Sequence, residues 1–144
     1  MAKHYVVHLD GGTYSLTFEE LGNVPPFKPR QGVRANNCYS GTNIQQDDIC
    51  FVMRCMASEV EVFHARSKSE YILPPENFRA TFPSTMFKNV GVGCALWKRG
   101  KYYYVYDRYV CDELGGVWTV PNGVDDLNSF YPNSRFVQFA EVLP

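Results

Sequence analysis

The chain has 144 residues, 45% hydrophobic and 15% aromatic, with 14 Lys and Arg against 15 Asp and Glu for a formal net charge of −1. That much apolar matter excludes an intrinsically disordered chain, and the length is that of one domain, 1–144. The balanced charge excludes strong non-specific binding to duplex nucleic acid, which needs a surplus of phosphate-neutralising cations.

Met1-Ala2-Lys3-His4 opens the chain without the apolar run of a secretory signal, and no stretch approaches the roughly 20 apolar residues of a membrane helix. These features predict a soluble, intracellular protein with no membrane partner. The 4–9 and 13–18 segments read as strands around Asp10-Gly11-Gly12, a strong hairpin signal. A helical turn beginning at Phe18-Glu19-Glu20-Leu21 is stopped by Gly22 and Pro25-Pro26. Residues 22–47 show no sustained period and read as a long irregular loop, pinned by Phe27 and Tyr39 and carrying Lys28, Arg30 and Arg34.

Residues 49–55 and 59–64 read as paired strands, the second alternating Val60 and Val62 against Glu59, Glu61 and Phe63. A polar turn over 66–70 leads to a short strand at 71–73, ended by Pro74-Pro75, and another at 78–82. A long strand is then expected from Phe87 or Val90 to Trp97, bent at Gly91 and Gly93. Beyond it come a short strand at 117–120, a short helix over 124–130 with Asn122 or Gly123 near its start, and a closing strand over 134–142. Many short strands with little amphipathic helix predict a mainly β fold. It is expected to be an antiparallel, partly closed barrel or strongly twisted sheet with one or two short helices.

Residues 94–111 are the most informative stretch. Two apolar, aromatic arms flank Lys98-Arg99-Gly100, which reads as a hairpin with Gly100 available for positive φ. On a continuous arm over 101–110, Tyr103, Val105 and Tyr109 share one face, while Tyr102, Tyr104 and Tyr106 share the other. One face packs on a core; the other packs too or is a contact surface. Lys98, Arg99, Lys101 and Arg108 decorate this ribbon, and Arg30 and Arg34 add cations from the long loop. Rings with flanking cations suit a protein interface, where Tyr, Trp and Arg dominate, or the stacking of single-stranded RNA bases. An exposed edge strand would also allow a homodimer.

The five cysteines (Cys38, Cys50, Cys55, Cys94 and Cys111) are odd in number and contain no C-x-x-C pair. They predict reduced, mostly buried thiols, with no metal site and no cofactor. Asp47-Asp48, Asp112-Glu113 and Asp125-Asp126 read as solvated surface pairs, because neighbours on a strand face opposite ways.

Asn36-Asn37-Cys38-Tyr39 resembles the nucleophile segment of picornavirus papain-like leader proteins, which implies a hydrolase using Cys38. Where that fold keeps its histidine, this chain has Asn89, Val90 and Gly91. His4-Tyr5-Val6-Val7-His8 taken with Asn37-Cys38 is similar to the H-box and NC motifs of lecithin:retinol acyltransferase-like hydrolases, and implies His4 or His8 as the base.

The run from Trp97-Lys98-Arg99-Gly100 through Asp107-Arg108-Tyr109-Val110-Cys111 resembles the opening stretch of coronavirus replicase polyproteins, with Arg108 where that family has Gln. This resemblance implies a leader nonstructural protein: a small β-barrel with a helix, lacking a catalytic site, that suppresses host gene expression. That family's long helix after the first hairpin region is replaced here by Pro25, Pro26, Pro29 and Gly32. The combined expectation is a non-enzymatic protein of the host cytoplasm. It would antagonise host gene expression or innate signalling by binding a host protein or single-stranded RNA. A cysteine hydrolase using Cys38 is the alternative.

Overall fold

The structure, a computed structural model, describes residues 4–9, 12–17, 27, 29–81, 83–131, 134–139 and 141–143. In chain order its strands are β1 (His4–Leu9), β2 (Gly12–Thr17), β3 (Gly32–Ala35), β4 (Ile49–Cys55), β5 (Val60–His64), β6 (Ser69–Leu73) and β7 (Phe78–Ala80). They continue with β8 (Thr85–Asn89), β9 (Tyr102–Tyr106), β10 (Tyr109–Cys111), β11 (Val117–Thr119), β12 (Phe136–Phe139) and β13 (Glu141–Leu143). One α-helix, α1 (Val124–Phe130), precedes β12. The chain divides into two compact units, Phe18–Phe82 and Met1–Thr17 with Pro83–Pro144.

The unit Phe18–Phe82 is an antiparallel sheet in the order β6-β5-β4-β3-β7. Alternation on β5 buries Val60, Val62 and His64 and leaves Glu61 and Phe63 half-buried. The register pairs Val62 with Val52 and His64 with Cys50, so these four share one face. Phe27, Val33, Ala35, Ile44 and Phe78 complete that core. The 36–48 segment is tied down by Tyr39, whose hydroxyl donates to Asn77 O at 2.8 Å, and by Asp47 N–H donating to Ala35 O at 2.8 Å. The four-residue β3 interrupts the stretch read from sequence as irregular; it is too short to display a period.

The second unit holds two antiparallel sheets, β13-β1-β2 and β11-β10-β9-β8-β12. Leu9 pairs with Gly12, as the Asp-Gly-Gly signal predicts. Phe87, Trp97, Tyr103, Val105, Val110, Val120, Leu127 and Phe136 form the core beside the larger sheet. Helix α1 stands where expected; Gly123 takes φ 64° ahead of it, and Leu127 is its buried residue. The expected helical turn at Phe18-Leu21 lies outside the described residues.

The fold is therefore mainly β and antiparallel, as expected, and of the two forms expected it is the twisted sheet: among the described residues no edge strands of a sheet pair with each other. Two strand assignments are also corrected. The strand read over 87–97 is β8 at 85–89, followed by a loop over 90–101. Its glycines serve close backbone approaches: a Cβ on Gly91 would lie 2.5 Å from Arg135 N, and one on Gly93 would lie 2.8 Å from Arg99 N. The arm read as continuous over 101–110 instead reverses at Asp107-Arg108, with Asp107 at φ 56° and Tyr106 opposite Tyr109. That two-residue turn moves Tyr109 to the face of Tyr106 and away from that of Tyr103.

No disulfide joins any of the five cysteines, and only Cys50 and Cys111 are buried, against the expectation of mostly buried thiols. Burial, with Asp48 nearby, pushes the Cys50 thiol up to about 12, so it stays protonated and unreactive. Among the described residues no helix is long and apolar enough to cross a membrane.

Candidate functional site

Asn89 ends β8 with its side chain fully buried, and it organises the loop that follows. Its Nδ2 donates to Val92 O at 2.9 Å and to Trp97 O at 3.0 Å, while its Oδ1 accepts from Gly91 N–H at 3.0 Å. Its backbone carbonyl accepts from Gly100 N–H at 2.8 Å. One residue thus fixes both ends of the 90–101 loop and its middle. Ser134 Oγ adds a second donor to Val92 O at 2.7 Å. Trp97 anchors the loop by packing: it is fully buried, edge-on to Tyr103 at 5.0 Å and to Phe136 at 6.0 Å between centroids.

A second turn, over 112–116, joins this loop through Glu113 N–H donating to Leu96 O at 2.9 Å. Asp112 builds it. Its buried carboxylate accepts from Leu114 N–H at 2.9 Å, Gly116 N–H at 2.8 Å and Trp118 Nε1–H at 2.8 Å. A Cβ on Gly116 would come within 2.6 Å of Asp112 Oδ2, so the turn requires glycine there. Glu113, its side chain only 9% exposed, accepts from Tyr103 O–H at 3.0 Å and pairs with Lys101 Nζ; Lys98 Nζ stands 4.0 Å away. Tyr103 oxygen accepts from Lys98 N–H at 2.7 Å. Burial, with the Glu113 carboxylate adding to it, pushes the Tyr103 phenol up to about 12.

These bonds hold a surface in place. Val92 and Leu114 are 63% and 72% exposed, and Lys98, Arg99 and Lys101, in the same loop as Val92, are exposed too. Gly100 takes φ 79°, as its place in the turn predicts. Arg108 is exposed at the tip of the β9–β10 turn. The tyrosines behave differently. Tyr106 is buried, Tyr102 and Tyr104 are half-buried, and burial pushes the Tyr104 phenol up. Across β8, Met86 faces Tyr104 and is buried, while Lys88 Nζ lies 5.6 Å from the centre of the Tyr102 ring. In the other unit Arg30 is exposed at φ 68°, while Arg34 donates to Asp47 O at 2.8 Å and to Thr81 Oγ1 at 3.3 Å.

Cys38 is exposed, in a segment of turns where Thr42 N–H donates to Tyr39 O at 3.2 Å. His64 has both ring nitrogens engaged, by Asp48 and Ser67. His4 and His8 lie on β1, opposite Thr17 and Thr13, with their side chains outside the described residues.

Sequence reasoning missed Asn89, Asp112 and Glu113, and treated Asp48 and Asp112 as solvated. The visible signals were an Asn two residues before the first glycine of Gly91-Val92-Gly93 and an Asp four residues before the second glycine of Gly115-Gly116, both patterns for side chains that bond to a nearby turn. Among the described residues no three His, Cys, Asp or Glu side chains gather as a metal site. No protein-family model, curated protein or solved structure matches the chain.

Proposed function

We propose that this protein acts by binding another macromolecule through the surface formed by the 90–101 loop and the 112–116 turn. One observation carries this reading: a loop fixed by the buried Asn89 side chain still leaves Val92, Lys98, Arg99 and Lys101 in solvent. Order without burial of the apolar side chain favours a pre-formed contact surface, because a rigid surface loses less entropy on association. Apolar groups beside arginine and lysine match the chemistry of protein hot spots and their rims.

A protein partner is favoured over single-stranded RNA. Base stacking needs open ring faces, and the β9 tyrosines are buried or half-buried. The resemblance to coronavirus leader proteins makes that partner a host protein, and suppression of host expression or innate signalling the consequence. Affinity capture from host-cell extract with the intact chain and with an Arg99→Glu/Leu114→Ser variant tests the proposal. Capture that survives ribonuclease identifies a protein partner; capture lost to ribonuclease identifies RNA; equal recovery by both chains contradicts the assigned surface.

A further inference from the structure

The unit Phe18–Phe82 carries a polar constellation unrelated to that surface. His64, the last residue of β5, is fully buried. Its Nε2 lies 2.7 Å from Asp48 Oδ2, and its Nδ1 lies 2.5 Å from Ser67 Oγ. An ionised carboxylate only accepts, so the proton sits on Nε2. In the neutral ring Nδ1 is then the acceptor, and the Ser67 hydroxyl donates into it. Burial alone would raise the Asp48 carboxyl, but Gln45 N–H, the Arg66 guanidinium and the His64 ring outweigh it and hold it below the ordinary carboxylate range. Gln45 N–H and Arg66 Nη2 lie 2.9 and 3.0 Å from the same Oδ2.

We propose that Ser67 is an activated nucleophile, with His64 as its general base and Asp48 orienting the ring, able to accept an acyl group from an activated ester. The roles are those of a serine–histidine–carboxylate relay, which is defined by geometry and not by chain order. Here serine meets Nδ1 and the carboxylate meets Nε2. The base is dry and fixed, while Ser67 is partly exposed. Ser67 stands in the β5–β6 turn next to Lys68, which is held at φ 56°, a left-handed backbone of the kind that collects at functional sites. The Tyr71 oxygen accepts from Asn43 N–H at 3.1 Å and lies among the Ser67 and Ser69 side chains.

The chemistry balances without a cofactor. Ser67 Oγ bonds to the acyl carbon as its proton passes to His64 Nδ1; the bond to the alcohol breaks, and that proton leaves with the alcohol. Water then attacks the acyl-serine, giving a proton to Nδ1 that returns to Oγ as the acid departs. This activity is independent of the binding proposed for the other unit.

The test is labelling of the native chain with a fluorophosphonate, which forms a Ser O–P bond and expels fluoride, followed by peptide mapping. Ser67 is expected to react at least tenfold faster than any other serine, and to lose that advantage in urea. A burst of p-nitrophenolate from p-nitrophenyl acetate should approach one equivalent per chain and vanish in Ser67→Ala. Asp48→Asn should slow labelling at least tenfold. The mapping on the native wild-type chain decides even if a variant fails to fold. Label absent from Ser67, or equal there in native and urea-treated protein, overturns the proposal.

Discussion

Tyr103 and Glu113 meet through a 3.0 Å hydrogen bond that ties the core to the exposed loops. The Tyr103 ring stands in the core beside Phe87 and Trp97, and its oxygen receives the Lys98 N–H while its proton goes to Glu113. The loop is thus registered against the sheet by one phenol. Tyr103→Phe keeps the packing and leaves Lys98 N–H and Glu113 short of a partner. The expected cost is about 1–3 kcal/mol, read from urea unfolding. The phenol has a further signature. Its folded pKa, about 12, lies above the ordinary 10.0, so the protonated form is the one folding favours. Its stabilisation is complete below pH 10 and disappears as pH rises toward 12. Ultraviolet titration should show a late-ionising tyrosine that is missing in Tyr103→Phe.

Asn89→Ala removes the donor to two carbonyls and the acceptor for Gly91 N–H. A loss of roughly 2–3 kcal/mol is expected, since three bonds of a buried side chain go and Gly91 N–H loses its acceptor. Amide exchange in the 90–101 loop should accelerate more than exchange in β9, because the loop depends on this side chain and β9 on its ladder.

Leu127→Ala opens a void at the buried residue of α1. Typical core truncations cost about 2–5 kcal/mol. A smaller loss at the exposed Phe130 on the same helix, measured by thermal melting of Phe130→Ala, would separate packing from helix propensity.

Asp48 sets an acid limit. Its folded pKa lies below the ordinary 3.8, so its contribution is present above that value and disappears as pH falls through the lower one. Asp48→Asn should lower stability at pH 7 and flatten the acid limb below about pH 4. Urea midpoints from pH 3 to 7 measure both.

Local signals decided most of what the sequence made legible. Helix α1 was marked by Asn122-Gly123 before Val124 and Leu127, and the β1–β2 hairpin by Asp10-Gly11-Gly12. The paired β4 and β5 were visible because β4 is a run of apolar residues and the alternation of β5 is long enough to show. What failed needed tertiary information. Between Tyr102 and Val110 the one usual turn residue is Asp107, with no glycine after it to mark a two-residue hairpin, so the reversal at Asp107-Arg108, and with it the face of Tyr109, was not read. Gly91 and Gly93 looked like a bent strand because the neighbours that demand glycine, Arg135 and Arg99, are distant or beyond a turn. The site was half visible. Lys98, Arg99 and Lys101 stand out in the sequence, but Asn89 and Asp112 act through bonds to backbone, marked only by their spacing to Gly91 and Gly116.

The most direct test is quantitative mass spectrometry of proteins captured from cell extract by the wild-type chain and by Arg99→Glu/Leu114→Ser, with matching melting curves for the two baits. At least one protein should be enriched more than tenfold by the wild type and fall to background with the variant. The same proteins recovered in equal amounts by both would contradict the assigned surface.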